Sequence, residues 1–335
     1  MTPEAASRPR VLVTAPGFGR VGNEAMRVLQ QASCDVEVCN NEATLKEADV
    51  LPLVEHVDAI MAGAEPITAR VIAAAPRLKV IARRGVGYDA VDLAAATARG
   101  VVVTTTVGVL SETVADHAFA LMLAVARQIP EFHRKVKAGV WDRTPTLEVF
   151  GKTLGIVGFG AIGRAVARRG AGFGMRLLAY DVLPDTATAA ALGVEFRPLE
   201  VLLAESDFVT LHVPLSPATQ GLIGEEALRR MKPTAILINT SRGDTVYERA
   251  LLRALREGRI AGAGLDVFHD EPLLDFSLVE LHNVVATPHV AAHTIETQAR
   301  VECAAAEAIV AVLRGERPPH VVNPEVYNRQ PPPGF

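Results

Sequence analysis

The sequence has few aromatic residues and few cysteines, and it has neither a block of like charge nor a long apolar run. Phe, Trp and Tyr make up 5% of its 335 residues. The core must therefore be built from Val, Leu, Ile and Ala, which suits parallel sheets covered by helices on both faces. A net charge of −4 without a basic cluster gives no electrostatic support to a nucleic-acid or anionic-membrane partner. The longest uncharged apolar run, Ala118–Ala126, is too short to span a bilayer.

The three cysteines, Cys34, Cys39 and Cys303, lack the spacing of zinc ligands. Their odd number favours reduced thiols, and the segment Met1–Arg10 shows no secretory signal. We therefore expect a cytoplasmic protein without a metal. The Pro-rich tail, Gln330–Phe335, is expected to be disordered.

Short β-rich runs alternate with helical patterns along the whole chain, which indicates α/β architecture. The first set of predicted strands is Val11–Thr14, Asp35–Val38, Ala59–Met61, Lys79–Ala82 and Val101–Val103. Helical patterns lie between most of these strands, for example at Thr68–Ala75 and Ala90–Arg99. The second set is Thr153–Val157, Arg176–Tyr180, Phe208–Val213, Ala235–Asn239, Gly262–Leu265 and Val284–Ala286, with a weak seventh strand near Glu195. Two sets of strands predict two sheets and two domains.

Two long helices indicate which parts of the chain belong to each domain. The first, Glu112–Arg127, lies between the two sets of strands. The second, Thr294–Leu313, follows the last strand and has no sheet of its own to complete, so we expect it to pack back on the first sheet. The prediction is two Rossmann-like, doubly wound parallel-sheet domains: a discontinuous one of residues 1–109 and 293–335, and an inserted one of residues 110–292.

A glycine motif begins the inserted domain. The segment Gly158-Phe159-Gly160-Ala161-Ile162-Gly163 matches G-x-G-x-x-G and stands between a predicted strand and a predicted helix. Gly158 permits a tight turn, Gly160 lets the backbone approach a pyrophosphate, and Gly163 lets helix and strand pack closely. The start of the helix, at Ala161 and Ile162, offers N–H groups and partial positive charge to phosphates. The motif therefore predicts a dinucleotide site.

Asp181 ends the second strand of this domain, where a carboxylate accepts hydrogen bonds from the adenosine ribose hydroxyls. Its charge would repel a 2′-phosphate. The position therefore favours NAD over NADP.

Three polar residues after later strands suit the reduction of a carbonyl group. Imidazolium, here His289, is a suitable proton donor near neutral pH, and a carboxylate such as Glu271 favours and orients its charged form. A guanidinium such as that of Arg242 can hold a substrate carboxylate and polarise the adjacent carbonyl. Each has an ordinary alternative as a surface ion pair, a loop residue or a structural histidine, and the chain offers other candidates: His269, His282, His293 and Asp270.

At this point the sequence resembles the D-isomer-specific 2-hydroxyacid dehydrogenase family, over residues 50–325. Seven segments in the family's order carry the resemblance: Arg83-Arg84-Gly85-Val86-Gly87-Tyr88-Asp89, Thr153-Leu154-Gly155-Ile156-Val157-Gly158-Phe159-Gly160, His212-Val213-Pro214-Leu215, Asn239-Thr240-Ser241-Arg242-Gly243, Leu265-Asp266-Val267-Phe268, Glu271-Pro272 and Thr287-Pro288-His289. The resemblance implies hydride transfer between NAD(H) and a D-2-hydroxy acid or 2-oxo acid. It also implies a substrate domain, an inserted NAD domain, and a homodimer formed through the NAD domain.

The resemblance also implies roles for individual residues. It makes Arg242, Glu271 and His289 catalytic, places Asp266 near the nicotinamide carboxamide, and brings the backbone of Gly85, Val86 and Gly87 to the substrate carboxylate. Further cofactor contacts are implied at His212, Pro214, Thr240 and Ser241. Arg83 and Arg84 flank the glycine turn, where a surface pair and, for Arg84, a substrate contact are both open.

Two departures leave the substrate open. Family members often have Gly-Gly-x-Val-Asp-Glu after the catalytic arginine, where this chain has Gly243-Asp244-Thr245-Val246-Tyr247-Glu248, and Val107 stands where many have proline. Glyoxylate, hydroxypyruvate, 3-phosphoglycerate and lactate or longer acids all remain candidates. Among other functions, formate oxidation is disfavoured because it pairs glutamine with the histidine, and phosphite oxidation is possible. A dinucleotide-sensing corepressor, a binding module on the same fold, is the alternative from a different class.

Overall fold

The computed structural model describes residues 8–39 and 44–328. The tail predicted to be disordered lies outside these residues, as does most of the amino-terminal segment. Strands β1 to β12 are Arg10–Val13, Asp35–Val38, Ala59–Ala62, Val80–Arg83, Val102–Thr104, Thr153–Val157, Arg176–Tyr180, Val194–Phe196, Phe208–Leu211, Ile236–Asn239, Gly262–Leu265 and Val284–Ala286. Helices α1 to α12 are Glu24–Gln31, Glu47–Val50, Ala69–Ala74, Leu93–Ala98, Ser111–Ala126, Ile129–Lys137, Ala161–Gly172, Thr186–Ala191, Leu199–Glu205, Glu225–Arg230, Glu248–Arg256 and Ile295–Leu313. Short 3-10 turns cover Leu51–Leu53, Gly243–Thr245 and Pro324–Asn328.

The chain forms two compact units. The discontinuous unit consists of Met1–Leu110 and Thr294–Phe335, and the inserted unit of Ser111–His293. Each has its own parallel sheet with helices, so the α/β, Rossmann-like fold class expected from the sequence is confirmed. Among the helices of the described residues, none combines the length and the apolarity needed for a transmembrane span.

The discontinuous unit contains a five-stranded parallel sheet in the order β2-β1-β3-β4-β5. Along its central strands alternate residues enter two different apolar clusters: Leu12 and Ile60 belong to one, and Val13 and Met61 to the other. Both faces are therefore buried, which is why these strands have continuous Val, Ile and Ala runs without polar alternation.

The closing helix α12 completes one face of this sheet. Thr294 caps its start, where the side-chain hydroxyl accepts a hydrogen bond from the Thr297 amide at 3.2 Å. Ala305 and Ile309 on α12 are buried in the same cluster as Val80 of β4. The predicted return of this helix to the first sheet is confirmed.

The inserted unit contains a seven-stranded parallel sheet in the order β12-β11-β10-β9-β6-β7-β8. The weakly predicted strand near Glu195 is present as β8 and forms one edge. The chain proceeds outward from β6 in one direction and then from β9 in the other, so the topological switch point lies between these two strands. Helix α5 lies close to β11, where a Cβ on Gly264 would be 2.9 Å from the Cβ of Leu121. Glycine at this position therefore permits the close approach of helix and strand.

The predicted helix Ala90–Arg99 is wrong at its start. The helix begins at Leu93 because the Asp92 side chain caps it, accepting a hydrogen bond from the Ala95 amide at 2.9 Å. The preceding Val91 instead forms an isolated parallel bridge with Ile67. The strand predicted as Phe208–Val213 also ends earlier, at Leu211.

Candidate active site

The glycine motif forms the turn between β6 and α7. At Gly158 and Gly163 a side chain would clash with the backbone, whereas the space beside Gly160 is open. Gly158 has φ +95°, and a Cβ there would lie 2.6 Å from the carbonyl oxygen of His212. A Cβ on Gly163 would lie 2.1 Å from the carbonyl oxygen of Gly158, so only glycine lets the helix pack on the turn. Gly160 is the N-cap of α7, and among the described residues no atom apart from its chain neighbours lies within 4 Å of the position that a Cβ on this residue would occupy. This leaves the first turn of the helix, at Ala161 and Ile162, accessible to an anionic ligand.

Asp181 lies against this turn from the end of β7. Its Oδ2 accepts a hydrogen bond from the Phe159 amide at 2.7 Å, and its Oδ1 accepts one from the Leu183 amide at 2.9 Å. The carboxylate is thus held beside the glycine turn by backbone donors and keeps lone pairs for further donors.

Two buried polar atoms follow the neighbouring strands β9 and β10. The Nδ1 of His212 and the Oγ1 of Thr240 have no hydrogen-bond partner among the described residues. His212 Nε2 lies 2.9 Å from the Thr210 hydroxyl, and burial lowers the pKa of His212 to about 3, so the imidazole is neutral. Buried polar groups normally have a partner. Orphaned groups beside an open helix N-terminus fit a bound dinucleotide at this edge of the sheet.

The other two residues implied as cofactor contacts differ from each other in exposure. Pro214 is exposed, whereas Ser241 is buried and donates its hydroxyl proton to Asn239 Oδ1 at 2.8 Å. Ser241 therefore supports the loop after β10.

Glu271 and His289 are brought into direct contact. The imidazole Nδ1 of His289 lies 2.6 Å from Glu271 Oε2, and Glu271 Oε1 accepts a hydrogen bond from the Phe268 amide at 3.0 Å. The His289 side chain is 47% exposed and the Glu271 side chain 37%, so the pair is open to a ligand. His289 itself has φ +54°, a backbone conformation that residues with a side chain rarely adopt. Such local strain is concentrated at functional sites.

Arg242 follows β10, two strands from the one that precedes His289. Its guanidinium donates to the carbonyl oxygen of Ser241 at 2.7 Å. The next residue, Gly243, packs directly on the loop that carries Glu271, because a Cβ there would lie 2.0 Å from the carbonyl carbon of Phe268. The backbone after Arg242 and the loop before Glu271 are therefore in contact.

Asp266 is fully buried at the end of β11. Its Oδ1 accepts hydrogen bonds from the Thr287 hydroxyl at 2.6 Å and the Val290 amide at 2.9 Å, and its Oδ2 accepts one from the Ala291 amide at 2.8 Å. The carboxylate thus fixes the loop that carries His289. Its contact with the nicotinamide carboxamide stays a prediction.

Sequence reasoning missed His117, which joins this cluster from α5. Its Nε2 lies 2.9 Å from the Thr287 hydroxyl and 3.5 Å from Asp266 Oδ1. The available signal was a histidine on the apolar stripe of a helix, between Val114 and Leu121. Of the other candidate histidines, His269 is a 64% exposed side chain whose Nδ1 lies 2.5 Å from Asp244 Oδ1.

Arg83 and Arg84 are not a surface pair. Arg83 is 7% exposed, and its Nε donates to the Gly87 carbonyl oxygen at 3.0 Å, which ties the Gly85–Gly87 turn to the end of β4. The Arg84 guanidinium lies 3.0 Å from Glu302 of α12 and also donates to the Pro16 carbonyl oxygen and to Gln298. Glu302 is 2% exposed. Arg84 therefore compensates a buried carboxylate inside its own unit, which gives it a structural role that the sequence did not indicate.

Comparison with known proteins identifies the class of this fold and site. Residues 119–291 match the family model described as D-isomer specific 2-hydroxyacid dehydrogenase, NAD binding domain. A glyoxylate reductase from Korarchaeum cryptofilum is 47% identical over 98% of this chain and 99% of its own length. The crystal structure of the TT0316 protein from Thermus thermophilus has a TM-score of 0.85 and 42% identity, with 93% of this chain and 99% of that one covered. A D-lactate dehydrogenase from Aquifex aeolicus, complexed with NAD and lactic acid, has a TM-score of 0.83 and 29% identity over 94% and 99% of the two chains.

These matches define an NAD-binding oxidoreductase. The chain belongs to the D-isomer specific 2-hydroxyacid dehydrogenase family. It is an NAD-dependent enzyme that transfers hydride between 2-hydroxy and 2-oxo acids, as the resemblance implied.

Asp181 should set the choice of dinucleotide, because its carboxylate lies at the glycine turn and its charge repels a 2′-phosphate. Replacing Asp181 with Ser should lower the ratio of kcat/KM for NADH to kcat/KM for NADPH by about tenfold, the equivalent of about 1.4 kcal/mol. Steady-state kinetics with both dinucleotides measure this ratio. Asp185→Ser, in a residue that caps α8, is the matched control and should leave the ratio unchanged. An unchanged ratio in Asp181→Ser would show that another group selects the cofactor.

Proposed function

We propose that this enzyme reduces small 2-oxo acids, glyoxylate first among them, with His289 as the proton donor and with NADH as the cofactor. The observation that carries the proposal is the 2.6 Å contact between His289 Nδ1 and Glu271 Oε2 at the edge of the nucleotide-binding sheet. Similarity over nearly the whole chain to proteins named glyoxylate reductases supports the choice of substrate.

The Glu271 carboxylate fixes which nitrogen of His289 takes part in the reaction. The Glu271 carboxylate accepts a hydrogen bond from Nδ1–H of His289, so Nε2 is the nitrogen left to exchange a proton with the substrate oxygen. The bond from the Phe268 amide orients Glu271 in turn. In the reductive direction Nε2–H protonates the oxygen, and in the oxidative direction neutral Nε2 removes the hydroxyl proton. Bound NADH supplies the hydride to the carbonyl carbon.

Arg242 holds the substrate by its charge and its planar fork. A guanidinium binds a carboxylate through two parallel hydrogen bonds and can polarise the carbonyl beside it. Arg242 follows β10 and His289 follows β12, so the two residues leave the same edge of the sheet two strands apart. The two side chains can therefore face opposite ends of one small 2-oxo acid.

In this proposal one compact unit binds the dinucleotide and the other contributes to substrate binding. The inserted unit is the NAD domain, where the glycine turn, Asp181, His212 and Thr240 meet the dinucleotide. The discontinuous unit is the substrate domain and presents the backbone of Gly85–Gly87 to the substrate carboxylate. The bond from Arg83 to Gly87 keeps that turn in place. The substrate contact expected of Arg84 has less support, since its guanidinium is already bonded to Glu302, Gln298 and Pro16.

We also propose a cytoplasmic homodimer formed through the inserted unit, with no nucleic-acid partner. Large apolar side chains are exposed along α6 and the segment after it, with Trp141 82% and Phe150 67% exposed. Beside them lies a groove of about 610 Å³ lined in part by Leu123, Phe132 and Phe150. An exposed apolar patch of this kind is typical of a protein interface, and the two-fold axis of a homodimer pairs such a patch with itself.

Removing the exposed aromatic side chains should therefore dissociate the dimer. Trp141→Glu and Phe150→Glu should each shift the mass measured by sedimentation velocity from two chains toward one, because a charge is costly in an apolar interface. Leu274→Glu, at a side chain 79% exposed elsewhere in the same unit, is the matched control and should leave the mass unchanged. A wild-type protein that sediments as a single chain at micromolar concentration would contradict the proposal.

His289→Gln should lower kcat for glyoxylate reduction by about 10²–10⁴-fold, the range that a positioned proton donor contributes. The dissociation constant of NADH, measured by fluorescence, should stay near the wild-type value. Glu271→Gln should lower kcat by a smaller factor than His289→Gln does. The double variant should be little worse than His289→Gln alone, because the two residues act as one unit.

His269→Gln provides the control for this set, since His269 is also paired with a carboxylate but is 64% exposed and directed to Asp244. It should retain wild-type turnover. Substantial turnover by His289→Gln would show that another group supplies the proton and would overturn the proposed function.

A further inference from the structure

His117 connects α5 to the loop that carries His289. It lies in the inserted unit with a side chain 22% exposed, and its Nε2 is within hydrogen-bond distance of the Thr287 hydroxyl, at 2.9 Å. Thr287 in turn contacts Asp266, which is completely buried. These three side chains form a hydrogen-bonded row from the helix to the end of β11.

The protons of this row can be placed from its acceptors. Asp266 is a carboxylate and can only accept, so the single hydroxyl proton of Thr287 is donated to Asp266 Oδ1, 2.6 Å away. The Thr287 oxygen has no second proton and must accept from its other neighbour. His117 Nε2 is therefore the donor. Along the row, the imidazole N–H donates to the Thr287 hydroxyl, and this hydroxyl donates to the Asp266 carboxylate.

Asp266 connects these hydrogen-bonded side chains to the backbone of the 287–291 loop. Besides the bonds from the Val290 and Ala291 amides to its carboxylate, its carbonyl oxygen accepts from the His289 amide at 2.8 Å. Burial by itself raises the pKa of the Asp266 carboxyl, but the His117 imidazole 3.5 Å away and the bonds from Thr287 and the two amides outweigh it and hold that pKa below its usual value. The carboxylate thus stays ionised and remains an acceptor for the loop.

The loop needs such anchoring because His289 is held at φ +54°. The left-handed conformation is strained for a residue with a Cβ and persists only where its surroundings impose it. A Thr287 hydroxyl without its donor can rotate away from the carboxylate. The anchoring would then rest on the backbone amides alone.

We propose that His117 is a positioning residue for the reaction: by donating Nε2–H to Thr287, it holds Asp266 and the loop that sets the imidazole of His289. The inference rests on the proposed role of His289 as proton donor. It assigns His117 no contact with substrate or cofactor. Its effect should therefore appear in kcat more than in the affinity for NADH.

Two replacements separate the hydrogen bond from the bulk of the side chain. His117→Phe keeps a planar ring and removes the donor, whereas His117→Gln keeps an N–H close to the position of Nε2. His117→Phe should lower kcat for glyoxylate by about 10- to 100-fold, the loss that a small misplacement of a reacting group produces. His117→Gln should recover most of that loss, and the dissociation constant of NADH and the melting temperature should change little in either variant.

Thr287 provides a second, independent test of the row. Thr287→Val removes the link and should reproduce the loss in kcat, whereas Thr287→Ser keeps the hydroxyl and should not. The double variant His117→Phe/Thr287→Val should be little worse than Thr287→Val, because the first residue acts through the second. If the two losses multiply instead, His117 does not act through Thr287 and the inference is wrong.

The remaining outcomes are also decisive. Wild-type kcat in His117→Phe overturns the inference, and so does an equal loss in His117→Phe and His117→Gln accompanied by a lower melting temperature, which indicates a role in the scaffold only. The parallel His289→Gln variant distinguishes this failure from a failure of the proposed function. If His289→Gln is inactive while His117→Phe is fully active, only the positioning role is excluded.

Discussion

The carboxyl edge of the seven-stranded parallel sheet is the constraint on which the site depends. Because all strands of this sheet are parallel, the residue after each strand appears at the same edge, and neighbouring strands place these residues about 5 Å apart. Six of the seven strands are followed at this edge by a residue of the glycine turn or of the proposed site: Gly158, Asp181, His212, Arg242, Asp266 and His289 follow β6, β7, β9, β10, β11 and β12. The nucleotide-binding turn lies next to the switch point of the sheet, and the proposed catalytic residues follow strands on one side of it.

The buried carboxylate of Asp266 makes this edge rigid at its most strained point. An ionised side chain without exposed surface is costly unless it is fully hydrogen-bonded. Asp266 meets that requirement by taking its donors from the His289 loop and from Thr287, which His117 supports. The same bonds that compensate the burial of this charge therefore hold the left-handed backbone of His289, so stability and positioning of the loop have one physical cause.

Local sequence patterns were sufficient for the fold class and for the glycine motif. The period of apolar residues identified nearly every strand, and the motif Gly158–Gly163 has its meaning within a few adjacent residues. Helix α4 shows where a local pattern fails: the apolar run continues from Ala90, but the capping side chain of Asp92 determines the start.

Contacts between residues far apart in the chain could not be read from the sequence. Arg84 has the sequence context of a surface residue, and its partner Glu302 is 218 positions later in the closing helix. His117 likewise precedes Thr287 by 170 positions, and nothing near either residue indicates the other. A sequence pattern shows which residue types are present, whereas the pairing of buried polar groups depends on the tertiary structure.

We propose that the sheet edge with His289, Glu271 and Arg242 reduces a 2-oxo acid to the D isomer with NADH. The most direct measurement supplies the purified protein with NADH and hydroxypyruvate, follows the loss of NADH absorbance, and determines the configuration of the glycerate formed by chiral chromatography. We expect NADH to be consumed in an amount equimolar to the D-glycerate formed, and glyoxylate to be reduced as well. No oxidation of NADH by either acid, or formation of L-glycerate, would contradict it.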